Sequence, residues 1–132
     1  MNLDASRFRI HNVSAFPYVV FDGLAMTPSY ASEWAKEMDA LVEFGKPFVV
    51  VYERMHAGED HEDRKLRGKW LKLNEHALSL CCKAVISIEP DEARREEIRV
   101  IAATAVKAFG IPHEVVATPE EAQAIVECIV AH

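Results

Sequence analysis

The sequence is short of the material from which several common sites are built. It has five glycines, and none falls in a Walker-type phosphate loop, a dinucleotide fingerprint or a nucleophile elbow; EF-hand loops and helical H-E-x-x-H are also missing. That leaves little for a phosphate cradle. Basic residues are outnumbered: 15 Lys and Arg stand against 21 Asp and Glu, a formal charge of −6. Nucleic-acid binders usually carry the opposite balance, so no nucleic-acid partner is expected. No apolar run approaches the roughly 20 residues that cross a bilayer, so no integral membrane segment is expected. The opening MNLDASRFRIHNV lacks the apolar stretch of a secretory leader. Cysteine is scarce and oddly placed, with Cys81 next to Cys82, Cys128 far away and no C-x-x-C. Neighbouring cysteines rarely bridge, because disulfide geometry is demanding. Reduced, buried thiols in a cytoplasmic protein are the expectation.

What is present is ordinary for one globular domain: 132 residues, half of them hydrophobic and 27% charged, enough for a single core. No repeat or linker interrupts it. RFRIHNV (7–13) and FPYVVFDGL (16–24) read as strands, with Pro17 at a strand start, where a missing N–H is tolerated. Thr27-Pro28 reads as N-cap and first helical residue. The helix that follows runs to about Phe44, with Trp34, Met38, Leu41 and Val42 inward, Glu37 among the residues on other faces, and Gly45 as its C-cap. PFVVVYE (47–53) is apolar throughout, as in a strand covered on both faces. From near Asp63 a second helix carries Leu66, Trp70, Leu73, Ala77 and Leu80 as one apolar stripe. KAVISIE (83–89) is the next strand. Pro90-Asp91 opens a third helix, with Ile98, Ile101, Ala102, Ala105 and Phe109 inward and Gly110 past its end. PHEVVA (112–117) is the last strand, and TPEE (118–121) is a capping box for a closing helix. The order β-β-α-β-α-β-α-β-α predicts an α/β domain with a mixed, mostly parallel sheet, the first strand antiparallel to the second.

The stretch VYERMHAGEDHEDRKLRGKW (51–70) looks the most chemical. It leaves the end of the central strand, where open α/β sheets bind ligands. His56, Asp60, His61 and Asp63 offer nitrogen and oxygen donors, but H-x4-H across a loop matches no zinc pattern. Neither a metal nor a cofactor is expected. Glu59, Asp60, Glu62 and Asp63 also suit a helix N-terminus, whose dipole favours negative charge. Arg64, Lys65, Arg67, Lys69 and Lys72 make the second helix locally basic, fit for an anionic partner or simply a solvated face.

The order of elements, with FPYVVFDGLAMTPSYASEWAKEMDAL, PFVVVYE, KAVISIEPDEARREEIRVIAATAVKAFG and IPHEVVATPEEAQAIV, resembles the STAS superfamily, in particular its SpoIIAA-like branch of small bacterial proteins. The resemblance covers nearly the whole chain and implies the SpoIIAA-like fold and a binding or regulatory role. Anti-sigma-factor antagonists of that family carry a phosphorylatable Asp-Ser-Ser/Thr-Gly motif after the central strand. Here no Ser or Thr occurs from Val49 to Lys72, so switching by phosphorylation is not expected.

Three functions stay open. The first is a non-enzymatic interaction module whose partner, a protein, meets the loop and first helical turn; Arg54, His56, Asp60, His61, Arg64 and Trp70 are the candidate partner- or ligand-binding residues. The second is a carrier or sensor of a small apolar or anionic ligand held under Trp34 and Trp70, a use suggested by the similar layout of the Sec14-like lipid-binding fold. The third is an acid–base enzyme using loop 54–64, which requires His56 and His61 to converge. A homodimer is possible through an open strand edge.

Overall fold

The computed structural model describes residues 3–55 and 58–130. Its elements are β1 (His11–Ala15), β2 (Tyr18–Asp22), α1 (Ala31–Phe44), β3 (Phe48–Glu53), α2 (His61–Cys81), β4 (Cys82–Ile88), α3 (Glu92–Phe109), β5 (His113–Val116) and α4 (Pro119–Val130), with short 3-10 turns at Ala5–Arg7 and Gly23–Ala25. The fold is α/β. Its five strands form one mixed sheet in the order β1-β2-β3-β4-β5. β1 is antiparallel to β2, and all later pairs are parallel. Among the described residues, no helix is long and apolar enough to cross a membrane.

Because successive side chains on a strand point to opposite faces, the apolar run of β3 serves two cores. Phe48 and Val50 join Trp34, Met38 and Leu41 of α1 and Trp70 and Leu78 of α2. Val49 and Val51 join Ala84, Ile86, Ala122 and Val126 beneath α4. Thus α1 and α2 cover one face and α4 the other, while α3 packs beside α2 and against β5. α1 and α3 end at Gly45 and Gly110, both in left-handed backbone, as their position in the sequence suggests. Asp91 caps α3 by accepting the Arg94 N–H at 2.8 Å, and Thr118 accepts the Glu121 N–H at 3.2 Å at the start of α4.

Five expectations need correction. The first strand begins at His11, not at residue 7. The N–H groups of Arg9, Ile10 and His11 go instead to the carboxylate of Glu37 at 2.8–3.0 Å. Glu37 is therefore an inward residue, 3% exposed, and not part of the outer face of α1. The first helix starts at Ala31 with Tyr30 as its N-cap residue, not at Thr27. Ser29 has φ of 70°, which breaks helical continuity, and Asp63 of α2 accepts the N–H groups of Ser29 and Ala31 at 3.0 and 3.2 Å. The stripe of α2 is also rotated: Asp63, Trp70, Leu78 and Cys81 are buried, whereas Leu66, Leu73 and Leu80 face solvent. On α3, Ile101 is exposed and Ala102 is buried. On α1 and α2, the inward face is matched by polar partners distant in sequence.

Candidate functional site

The carboxyl ends of β3 and β4 and the start of α2 enclose a layer of polar side chains. β3 delivers the chain to Arg54, whose φ is 53°. The Arg54 guanidinium pairs with the Asp22 carboxylate at the end of β2, with Nε 3.1 Å from Oδ1. The two strand ends come very close here. A Cβ on Gly23 would lie 2.0 Å from the Arg54 carbonyl oxygen, so this position admits only glycine. The Met55 carbonyl accepts from Nη2 of Arg94 at 2.7 Å, which ties the loop to α3.

Glu59 is the hub. Its carboxylate accepts from Arg67 through Nε at 2.6 Å and Nη2 at 2.8 Å, and the Tyr30 hydroxyl donates to it. Arg64 lies at the margin, 3.9 Å away. The Arg67 guanidinium also sits 5.9 Å above the Trp34 ring, a favourable cation–π placement. Burial alone would raise the Glu59 carboxyl, but the hydrogen bonds from Arg67 and Tyr30 outweigh it and hold the group below its ordinary range. Burial and the Glu59 hydrogen bond push the Tyr30 hydroxyl up. Tyr52, on β3 below, is likewise raised, chiefly by burial.

Deeper on the same side, Ser87 of β4 and Nε2 of His113 on β5 lie 2.8 Å apart. Burial pushes the His113 imidazole below its ordinary value of 6.5. A histidine whose folded value is depressed contributes full stability above its unfolded value and loses it as pH falls through that value toward the folded one. Urea midpoints compared at about pH 7.5 and about pH 5.5 are therefore expected to fall on acidification. The fall should shrink in His113→Gln, which keeps a hydrogen-bonding group near Ser87 and does not titrate. An equal fall in both proteins would remove His113 as a cause. Ser87 is buried, so this pair is not open to a substrate.

The candidate residues fall in different places. Asp60 is the N-cap residue of α2 but makes no side-chain cap bond. Asp60, His61 and Arg64 are exposed within one helical turn. Arg54 is exposed and paired to Asp22. His56 lies outside the described residues. Trp70 belongs to the interior: its ring meets Trp34 edge-on at 5.4 Å, and its Nε1 donates to Asp39 at 2.8 Å. Trp34 and Trp70 thus belong to the packed core of that face of the sheet. An apolar cleft of about 590 Å³ lies elsewhere, between α4 and the β1–β2 turn, lined by residues including Pro17, Tyr18, Pro119, Val126 and Val130.

The acidic run also divides its labour. Glu59 neutralises Arg67, Asp63 caps a different helix, and Asp60 and Glu62 stay in solvent at the N-terminus of α2, where the dipole favours them. Among the described residues, no group of three or more His, Cys, Asp or Glu could hold a metal ion. No family model, curated protein or solved structure matches this chain. The thiols lie outside the site. Burial raises Cys81 and pushes Cys82 up to about 12, so neither is a ready nucleophile.

Sequence reasoning missed Tyr30, Glu59 as hub, Asp63 as a distant cap, and Arg67. A signal was present. Asp63, Arg67, Trp70, Asn74, Leu78 and Cys81 follow helical spacing around Trp70. Polar residues at positions of that period are candidates for the interior, provided partners are available.

Proposed function

We propose that the chain is a non-enzymatic interaction or regulatory module of SpoIIAA-like layout, cytoplasmic and without a phosphorylation switch after its central strand. A β1–β2 antiparallel pair followed by parallel strands in simple sequence order is in keeping with that layout. One observation carries the functional reading. At the carboxyl end of the sheet, where an α/β protein would place a ligand, the chain's own groups satisfy one another, and Glu59, Asp63 and Arg67 act as supports. Asp60, His61 and Arg64 remain as an exposed turn mounted on that support, with Arg54 nearby in sequence at the end of β3. A polar turn on a firm base is suited to a protein partner, since little ordering is needed on binding.

Replacing Asp60, His61 and Arg64 together by Ala is expected to weaken capture of the partner at least tenfold. The thermal midpoint should move by little, because all three side chains are exposed and Arg64 meets the Glu59 carboxylate only at its margin, 3.9 Å away, where an exposed pair has a small effect. Pull-down from the source cell, read by mass spectrometry against the parent chain, measures the first effect, and differential scanning calorimetry the second. Unchanged capture with all three replaced would remove this reading.

A further inference from the structure

Three leucines of α2 face solvent: Leu66 is 38% exposed, Leu73 74% and Leu80 66%. They recur every seven residues, two turns of helix, and so form one line along it. The line lies on the flank of α2 that faces α1. Leu66 borders a cleft shared with Ser29 and Ser32, and Trp70, one position off the line, reaches Asp39 of α1. Outward of the line, α2 carries the exposed Lys65, Lys69, Lys72 and His76; across it, α1 presents the exposed Lys36, Asp39 and Glu43. The surface thus reads, from one side to the other, acidic on balance, apolar, basic.

We infer that this surface is the interface of a homodimer, its occupant a second copy of the same chain. An isologous interface must match itself under a two-fold rotation. α1 and α2 each connect neighbouring parallel strands, so they run in the same direction. A two-fold axis parallel to them, along the leucine line, lays α1 of one copy over α2 of the other. The carboxylates then meet the lysines, and each leucine meets its own equivalent in register. An axis across the helices lays α2 on α2 and sets lysine against lysine. Charge therefore selects the first arrangement, with an apolar centre and a charged rim. The same charges disfavour an anionic membrane, because Asp39, Glu43 and a net charge of −6 would oppose it.

Sedimentation equilibrium from low micromolar to several hundred micromolar chain tests this. The expected result is a mass rising to twice the 14.8 kDa of the chain, with association weakening as salt is raised. Leu73→Glu should weaken association at least tenfold while circular dichroism and the thermal midpoint, both read at a concentration where the parent is monomeric, stay unchanged. Leu24→Glu, at a leucine 66% exposed but off this surface, should leave association intact. A chain that stays monomeric at every concentration overturns the inference. So does a dimer indifferent to Leu73→Glu. Monomeric protein that binds phosphatidylserine vesicles through Leu73 would overturn it in favour of a lipid surface.

Discussion

Glu37→Ala is expected to cost about 3–5 kcal/mol, the range for breaking a buried charged network by removing one partner. Glu37 Oε2 accepts the N–H groups of Arg9 and Ile10, and Oε1 accepts the N–H of His11 and the proton of its Nδ1 at 2.9 Å. Loss of the carboxylate leaves three main-chain donors and an imidazole without an acceptor. His11 Nε2 already finds no hydrogen-bond partner among the described residues, so the ring cannot compensate there. Small domains have only about 5–15 kcal/mol in total, and the variant should melt far earlier. The effect carries a pH signature. Burial would raise the Glu37 carboxyl, but the His11 imidazole and the three main-chain donors hold it below its ordinary 4.5. A carboxyl with a depressed folded value contributes stability above its unfolded value, which is lost as pH falls through the folded one. Urea titrations below about pH 5 should therefore show a steeper loss in the parent than in Glu37→Gln. Parallel curves, or a cost for Glu37→Ala within that of an ordinary surface change, would mean that the Glu37 carboxylate does not hold these four donors.

Arg67→Met should cost a similar amount, about 3–5 kcal/mol, because it strands the Glu59 carboxylate in a site where, among the described residues, Tyr30 is the one side chain still hydrogen-bonded to it. The sharper test is recovery. Replacing the whole group by apolar residues of similar size, with Arg67→Met, Glu59→Leu and Tyr30→Phe together, should restore most of the loss. Buried ion pairs are often no more stabilising than well-packed hydrophobic substitutes. Guanidinium denaturation midpoints of the single and triple variants decide the matter. If the triple variant is as unstable as the sum of its parts, the three groups do not act as one network. The same triple variant separates support from recognition. A folded protein that no longer captures its partner would show that the Glu59–Arg67 pair holds Asp60, His61 and Arg64 in place.

The sequence carried much of the fold. Strand and helix order followed from period and punctuation. PFVVVYE is a central strand because its residues are apolar on both sides, and both sides are covered. Gly45, Gly110, Asp91 and the Thr118–Glu121 pair mark helix ends through contacts within four residues, a range over which neighbouring residue types are decisive. The location of the candidate site was legible on the same terms, since a loop after the central strand lies beyond its carboxyl end in any such sheet.

The roles inside that site were not legible, because they depend on encounters across the chain. Leucine at residues 66, 73 and 80 fits an apolar stripe as well as the true one does. α2 turns instead to bury Asp63 and Trp70 and half-bury Arg67, because Ala31, Asp39 and Glu59 wait there as partners. Glu37 looked like one more surface acid on α1. It is internal because a segment 26 to 28 residues earlier in the chain brings it four donors. Asp63 suited the dipole of its own helix, yet it caps one that starts 32 residues before it. Hydrophobic period is a property of the chain alone and sets which elements form. Which way a helix face turns, and which charges go inside, depends on whether buried polar groups find partners, and only the packed structure supplies them.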